Sequence, residues 1–495
     1  MAQPADLRMG TASGRWVLLA TVLGSGIVMI DSTVVNVALP HIGEDLGAGF
    51  SGLQWTINAY TLTLAALILL GGSLGDTFGR RRIFLIGVIW FAVASAACGL
   101  AQNIEMLIAA RALQGVGGAL LTPGSLALIS ASFCKADRAA AIGAWSGMGG
   151  LAGAVGPFVG GYLVDISWRA IFLINLPLAA IVVAVTVLRV PESRDTESAP
   201  GLDVSGTILA VLGLVGLTYG FTELANRGAA VDALVAVGVG VLALVVFVVV
   251  ERRSPHPLVP PSLFANATFR VANSITLLIY GALGVVFLLL VLQLQTVAGF
   301  SPIAAGTALL PVTAVMLVFS SRAGALAGRI GPRLPMTLGP LLAAAGVLMM
   351  LRIGPTASWL VDVLPAALLF GAGLALVVAP LTASVLDAAP DHLAGSASGV
   401  NNAVARSGGL IAVALIPGLS GISGADYSDP STFDSGFRVA MSISAGLLVV
   451  ASAMAVVGLR SRPEAEPERG RMRVEENVHC PTVGPSLHPR PDAVG

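Results

Sequence analysis

Long apolar runs, broken by short polar or charged connections, recur along the whole 495-residue chain. A bilayer core about 30 Å thick is crossed by roughly 20 apolar residues in a helix. Fourteen stretches meet that length, at about 16–38, 53–72, 83–101, 104–125, 139–163, 169–188, 204–225, 230–250, 270–297, 303–323, 335–353, 359–380, 395–420 and 437–459. Outer-membrane barrels are excluded, because their strands alternate polar and apolar residues and lack such runs. The first run is too long for a signal-peptide core and has no clear cleavage site, so it counts as a span. Residues 461–495 are rich in Pro and charge, poor in apolar residues, and read as a disordered tail.

Composition narrows the class. Apolar residues make up 56% of the chain and 59 glycines add to them, while charged residues are 11% where about 25% is usual. The mean hydropathy is +0.88. An ordinary soluble enzyme, a disordered chain and a fibrous repeat are excluded, and an all-α polytopic membrane protein is expected. The charges balance at 27 basic and 27 acidic, which gives no sign of a nucleic-acid partner. Their distribution is uneven. With a cytoplasmic N-terminus, only Arg169, Arg227, Arg352 and Arg438 face outside, and Arg111 and Arg406 lie within spans. Every other basic residue falls inside, which predicts cytoplasmic termini and a multi-pass protein of the plasma membrane. Cys98, Cys134 and Cys480 are too scattered for a disulfide framework or a metal site, and the histidines, among them His41, fall in connections or in the tail. No metal is expected.

Two connections resemble each other. Gly72-Ser-Leu-Gly-Asp-Thr-Phe-Gly79-Arg-Arg81 follows the second span, and Gly324-Ala-Leu-Ala-Gly-Arg-Ile-Gly331-Pro-Arg333 follows the tenth. An offset of 252 aligns Gly72 with Gly324, Leu74 with Leu326, Gly79 with Gly331 and Arg81 with Arg333. Near an offset of 256, Gly115, Gly117 and Gly143 meet Gly371, Gly373 and Gly399. Copies with the same loop side and helix order make a parallel repeat. The expected organisation is a six-helix bundle over 1–195, an inserted helix pair over 196–252, a second six-helix bundle over 253–460, and the tail.

Several motifs carry a resemblance. Ile30-Asp31-Ser-Thr-Val-Val-Asn36-Val-Ala-Leu-Pro40 lies in span 1, and the Gly72–Arg81 loop has the form G-x-L-a-D-r-x-G-r-k with Asp76 in place and Thr77 where a basic residue is usual. Arg111-Ala-Leu-Gln114-Gly-Val-Gly117 reads R-x-x-Q-G-x-G in span 4. Gly156-Pro157-Phe-Val-Gly160-Gly161 lies in span 5, with Ala152 where a glycine is frequent, and Trp168-Arg-Ala-Ile-Phe-Leu-Ile-Asn175-Leu-Pro177 opens span 6. In this order the chain resembles the major facilitator superfamily, specifically its fourteen-span drug:proton antiporters of the EmrB/QacA type, over about residues 16–460.

The residues themselves suggest roles. A carboxylate inside a span is a functional candidate by default, and Asp31 lies roughly 10 Å deep at 1.5 Å per residue. Arg111 lies at a similar depth in span 4, so the two are expected to meet in a central cavity and handle a proton, together with Asn36 and Gln114. Asp76 beside Arg80 and Arg81 suits a helix cap or an ion pair at the cytoplasmic ends of spans 2 and 3. The resemblance implies a conformational latch there, formed by Gly72, Asp76, Gly79, Arg80 and Arg81. Gly156, Pro157, Gly160 and Gly161 suit close helix approach and a bend, expected as a hinge and leak seal between the halves. Asn401, Asn402 and Arg406 are candidates for the C-terminal side of the cavity, where Arg406 either binds an anion or serves structure.

No hydrolase, dehydrogenase, kinase or phosphate-cradling signature is present, so an enzyme is not expected. The reading is a monomeric exporter that uses no cofactor and takes a proton as its coupling ion. Its substrates are small lipophilic drugs or antibiotics, neutral or cationic. A proton-coupled importer and a dedicated exporter of one metabolite are the alternatives.

Overall fold

The computed structural model describes residues 7–193, 203–227, 230–254, 257–390, 393–422 and 429–459. The expected boundary at 195/196 and the tail 461–495 lie outside the described residues. Thirteen described helices are long and apolar enough to cross a membrane. In chain order they are α1 (Ala12–Leu46), α2 (Phe50–Phe78), α3 (Arg80–Gly99), α4 (Ile104–Ser132), α6 (Ala170–Arg189), α7 (Val204–Arg227), α8 (Val231–Glu251), α9 (Ala267–Val297), α10 (Pro302–Ile330), α11 (Arg333–Arg352), α12 (Trp359–Asp387), α13 (Ala394–Leu419) and α14 (Pro430–Gly458). Between α4 and α6 runs the 32-residue α5 (Lys135–Ile166). The order is that of the fourteen expected spans, and the described residues form no named strand.

Several helices outrun the apolar stretches that betray them. α1 was expected to end near residue 38 and continues through Pro40 to Leu46, where Gly47 at φ 62° caps it. His41, expected in a connection, therefore lies in the last turns of α1. α6 is interrupted at Ile174, between Ala170–Leu173 and Asn175–Arg189.

Packing repeats with the sequence. Within the first half α1 packs on α5 and α6, α2 on α4, and α3 on α4 and α6. The same pairings recur as α9 on α13 and α14, α10 on α12, and α11 on α12 and α14. The aligned glycines explain why. Gly115 of α4 lies against the backbone of α2 at Tyr60, and Gly371 of α12 lies against that of α10 at Val312. Gly117 meets Phe91 of α3, and Gly373 meets Ala343 of α11. A Cβ at any of the four would come within 2.8 Å of a neighbouring atom, so small residues at these positions let the backbones approach.

The inserted pair is held by glycines as well. Gly216 of α7 and Gly240 of α8 leave no room for a side chain. α7 lies on α2 and α13, one helix from each half, while α8 packs chiefly on α7. Asp203 caps the start of α7 by accepting from the Gly206 N–H at 2.6 Å and the Ser205 hydroxyl at 2.8 Å. Burial alone would raise this carboxyl, but those hydrogen bonds and one from Ser254 hold it below the usual range.

Candidate functional site

The charged centre of the first half is built from four helices. α1 contributes Asp31, α4 Arg111 and Gln114, α3 Ser95 and α6 Asn175, all of them buried. Arg111 and Gln114 are three residues apart on α4 and so share a face. Arg111 Nη1 donates to Asp31 Oδ2 at 2.5 Å and to Gln114 Oε1 at 2.6 Å. Gln114 Nε2 and Asn175 Nδ2 donate to Asp31 Oδ1 at 2.8 and 3.1 Å. The same two amides donate to Ser95 Oγ, whose hydroxyl donates in turn to the Phe172 carbonyl at 2.8 Å. Arg111 Nε donates to the Thr56 carbonyl at 3.1 Å, and its guanidinium lies 4.1 Å above the Tyr60 ring.

The break at Ile174 turns the start of the longer segment of α6, with Asn175, toward Asp31. Three donors fill three of the roughly four lone-pair positions of a carboxylate, which leaves one position on Oδ2. Bringing both ions out of water costs several kcal/mol each, recovered only when geometry and additional hydrogen bonds are good, as they are here. Asn36, expected beside Asp31, is half-buried and takes no part in this network. The aligned second half has no counterpart, since the offset of 256 sets Ala367 at the position of Arg111 and Phe370 at that of Gln114.

The loop after α2 is fastened to its own half. Arg80 Nε and Nη2 both reach Asp76 Oδ1 at 2.8 Å. The Arg81 guanidinium donates to the Val187 carbonyl near the end of α6, and the Arg80 N–H donates to the Ser193 carbonyl. Gly79 sits at φ 108° and its repeat partner Gly331 at φ 87°, a backbone region that disfavours side chains. Gly72 has space around it. Among the described residues this loop forms no ion pair with the second half.

The halves pack along α2 and α13 and, at the opposite face, around α5. A Cβ at Gly156 would stand 2.0 Å from Thr33 Oγ1 of α1, and one at Gly160 would press on Val34. On the far side of α5, Gly161 lies against Ile303 of α10, and a Cβ at Gly306 would stand 2.3 Å from the Pro157 carbonyl oxygen. The four motif residues of α5 thus fill a seam between α1 and the first turns of α10. Two glutamines cross between the halves near this face. Gln295 of α9 donates to the Val37 carbonyl at 3.0 Å, and Gln54 of α2 donates to the Val413 carbonyl of α13. Pro417 explains the second bond, because it lacks the N–H that would pair with Val413 four residues earlier.

The C-terminal candidates separate. Asn401 donates to Asn273 Oδ1 at 3.2 Å and to Thr276 Oγ1 at 2.8 Å on α9. Asn402 is exposed and donates to the Ser398 carbonyl of its own helix. Arg406 is half-buried. Ser95, Thr56, Tyr60 and Asn175 join the site without a role expected from the sequence. Asn175 had a signal, an amide beside a Pro in an apolar run, but the others look like ordinary span residues until the helices are assembled.

The profile of the Major Facilitator Superfamily matches residues 21–413. The chain belongs to the major facilitator superfamily. This facilitator is 37% identical over 481 residues to the puromycin resistance protein of Streptomyces alboniger, covering 93% of this chain and 94% of that protein. It is 37% identical to the multidrug resistance protein Stp of Mycobacterium tuberculosis (strain CDC 1551 / Oshkosh), with 81% and 74% covered. It is 35% identical to the tetracenomycin C resistance and export protein of Streptomyces glaucescens, again with 81% and 74% covered. Among solved structures, a POT family transporter in complex with a thioalcohol-conjugated peptide matches with a TM-score of 0.69 at 14% identity, over 92% of this chain and 98% of that one. A bacterial homologue of the human lysosomal transporter Spinster, inward-facing and unoccupied, gives 0.62 at 18% identity, over 91% and 97%. These two likenesses concern the fold. The facilitator is a multi-pass membrane transporter, not an enzyme.

Proposed function

We propose that this facilitator exports small lipophilic antibiotics or drugs from the cell across the plasma membrane, in exchange for protons, by alternating access of the seam between its two halves. The observation that carries the proton part is the buried Asp31–Arg111–Gln114–Asn175 network, the one place in the first half where a carboxylate lies deep in the membrane-spanning region among the described residues. The resistance and export functions in the relatives' names support the direction of transport. With both termini in the cytoplasm, the face sealed by Gly156, Pro157, Gly160 and Gly161 is external, and the Asp76–Arg80 loop borders the cytoplasmic side. A proton reaching Asp31 Oδ2 from outside frees Arg111, and the two helices that carry them, α1 and α4, are released to shift relative to one another. Loss of the proton to the cytoplasm restores the pair. The chain acts as a monomer, since each half supplies one wall of the path.

Expression in a bacterium lacking its own exporters tests this reading. Tolerance to a panel of lipophilic antibiotics should rise, with lower cell-associated drug, and an uncoupler should abolish the difference. Increased drug accumulation on expression would instead support the importer reading.

A further inference from the structure

Arg406 is a cation deep in a span that forms no ion pair and no hydrogen bond with any described residue. Its place on α13 follows from its neighbours at two turns in each direction. Gly399 lies against Leu69 of α2, where a Cβ would come within 3.0 Å of that side chain, and the Val413 carbonyl accepts from Gln54 of α2. Seven residues are about two helical turns, so Arg406 lies between these contacts on the face of α13 turned to α2. α2 belongs to the first half and α13 to the second, so Arg406 stands where the halves meet.

Across the seam lies a second group without a partner. Asn58 follows Gln54 by one turn on α2 and is fully buried, and neither its Oδ1 nor its Nδ2 is hydrogen bonded. The Tyr60 hydroxyl is also buried and unpaired. A half-buried guanidinium within a span and without a counter-ion is costly, and so is a buried amide without a partner. Neither is relieved by Asp31, whose charge is already matched by Arg111. Among the described residues the α2–α13 face therefore carries one positive charge without an ion pair on one helix and an unpaired amide on the other.

We infer that Arg406, with Asn58 across the seam, forms the head-group subsite of the transport path and receives a carboxylate, a phenolate or a similar oxygen acceptor on an otherwise lipophilic molecule. The subsite rests on the export reading for its setting. It narrows the substrate class away from the cations entertained from sequence, because a cation would face Arg406 with like charge. Arg406 presents planar donors that match a carboxylate in two bonds, and Asn58 Nδ2 adds a neutral donor.

Three anthraquinones with one frame and different head groups test it: the 2-carboxylate, the 2-carboxamide and the 2-aminomethyl compound. Their binding to the full-length protein in detergent is read by quenching of tryptophan fluorescence. Wild type should bind the carboxylate about tenfold more tightly than the ammonium compound, as expected for one charge-assisted contact. Arg406→Gln should erase that preference while leaving the ammonium compound's affinity equal or improved, which also shows that the variant is folded. Arg406→Lys should retain part of the preference, and Asn58→Leu should weaken the carboxylate and the carboxamide severalfold. Wild-type preference for the ammonium compound, or an unchanged preference in Arg406→Gln, overturns the subsite. The export reading fails separately. A protein that prefers the carboxylate yet pumps nothing against a gradient keeps the subsite and loses the exporter. One that pumps the ammonium compound and ignores the carboxylate does the reverse.

Discussion

Asp31 and Arg111 are each nearly inaccessible to solvent, and among the described residues each is the other's only ion-pair partner. Removing one leaves a bare ion, at a cost of about 3–5 kcal/mol. Asp31→Asn and Arg111→Gln should therefore each lower thermal stability by that order. The double variant should be more stable than either single one, because no charge remains unpaired. Additive losses in a thermal-unfolding cycle would show that the pair does not act as a unit. Asp31, Arg111 and Gln114 were legible in the sequence because charge is rare in apolar runs and the depths of the two ions matched. Ser95 and Thr56 were not, and Asn175 showed only as part of a motif. Hydroxyls and amides are tolerated in spans wherever they can bond the backbone, and only the assembled helices show which of them reach Asp31.

At the scale of the element, proline and glycine set what each helix needs from its neighbours. Val413 loses its helical donor to Pro417, and Gln54 supplies one from the other half. Gln54→Leu should leave a buried carbonyl unpaired, at about 1–3 kcal/mol. Adding Pro417→Ala restores the N–H and should recover much of that loss, whereas no recovery in thermal unfolding would mean that the bond across the seam is incidental. Gly79 and Gly331 differ from most other glycines by their positive φ. Alanine at either should cost about 1–3 kcal/mol, while Gly143→Ala, with nothing within 4 Å of the new Cβ, should be close to neutral. Hydropathy located every helix but misjudged ends such as that of α1, because helix ends carry polar residues into the interface and Pro40 resembles a stop. The repeat was legible from glycines for the same physical reason that it packs: both copies need close backbone approach at the same places.

For the whole molecule, the inserted pair is more than a peripheral addition. α7 touches α2 and α13, and the Cβ position of Gly418 on α13 lies 2.1 Å from the Ala225 side chain. α7 thus covers the line along which the halves meet, whereas α8 has the lowest buried share of the thirteen helices, 17%. α8 is the more apolar of the two helices, but hydropathy does not show which neighbours α7 meets. The orientation expected from arginine asymmetry has its own check. In a variant without native cysteines, Arg227→Cys should react with an impermeant maleimide on whole cells, and Arg329→Cys should react only after the membrane is broken. The opposite pattern would invert the protein and, with it, the direction of export.

The central claim is that proton transfer at Asp31 drives export, and proteoliposomes bearing an imposed pH gradient test it most directly. Wild-type protein should move a lipophilic substrate, first identified from the tolerance panel, against its concentration gradient only while protons flow the other way. Asp31→Asn should bind that substrate yet fail to accumulate it under any pH gradient, though exchange of labelled for unlabelled substrate persists. Gradient-driven accumulation that survives in Asp31→Asn would contradict the claim and move coupling away from this network.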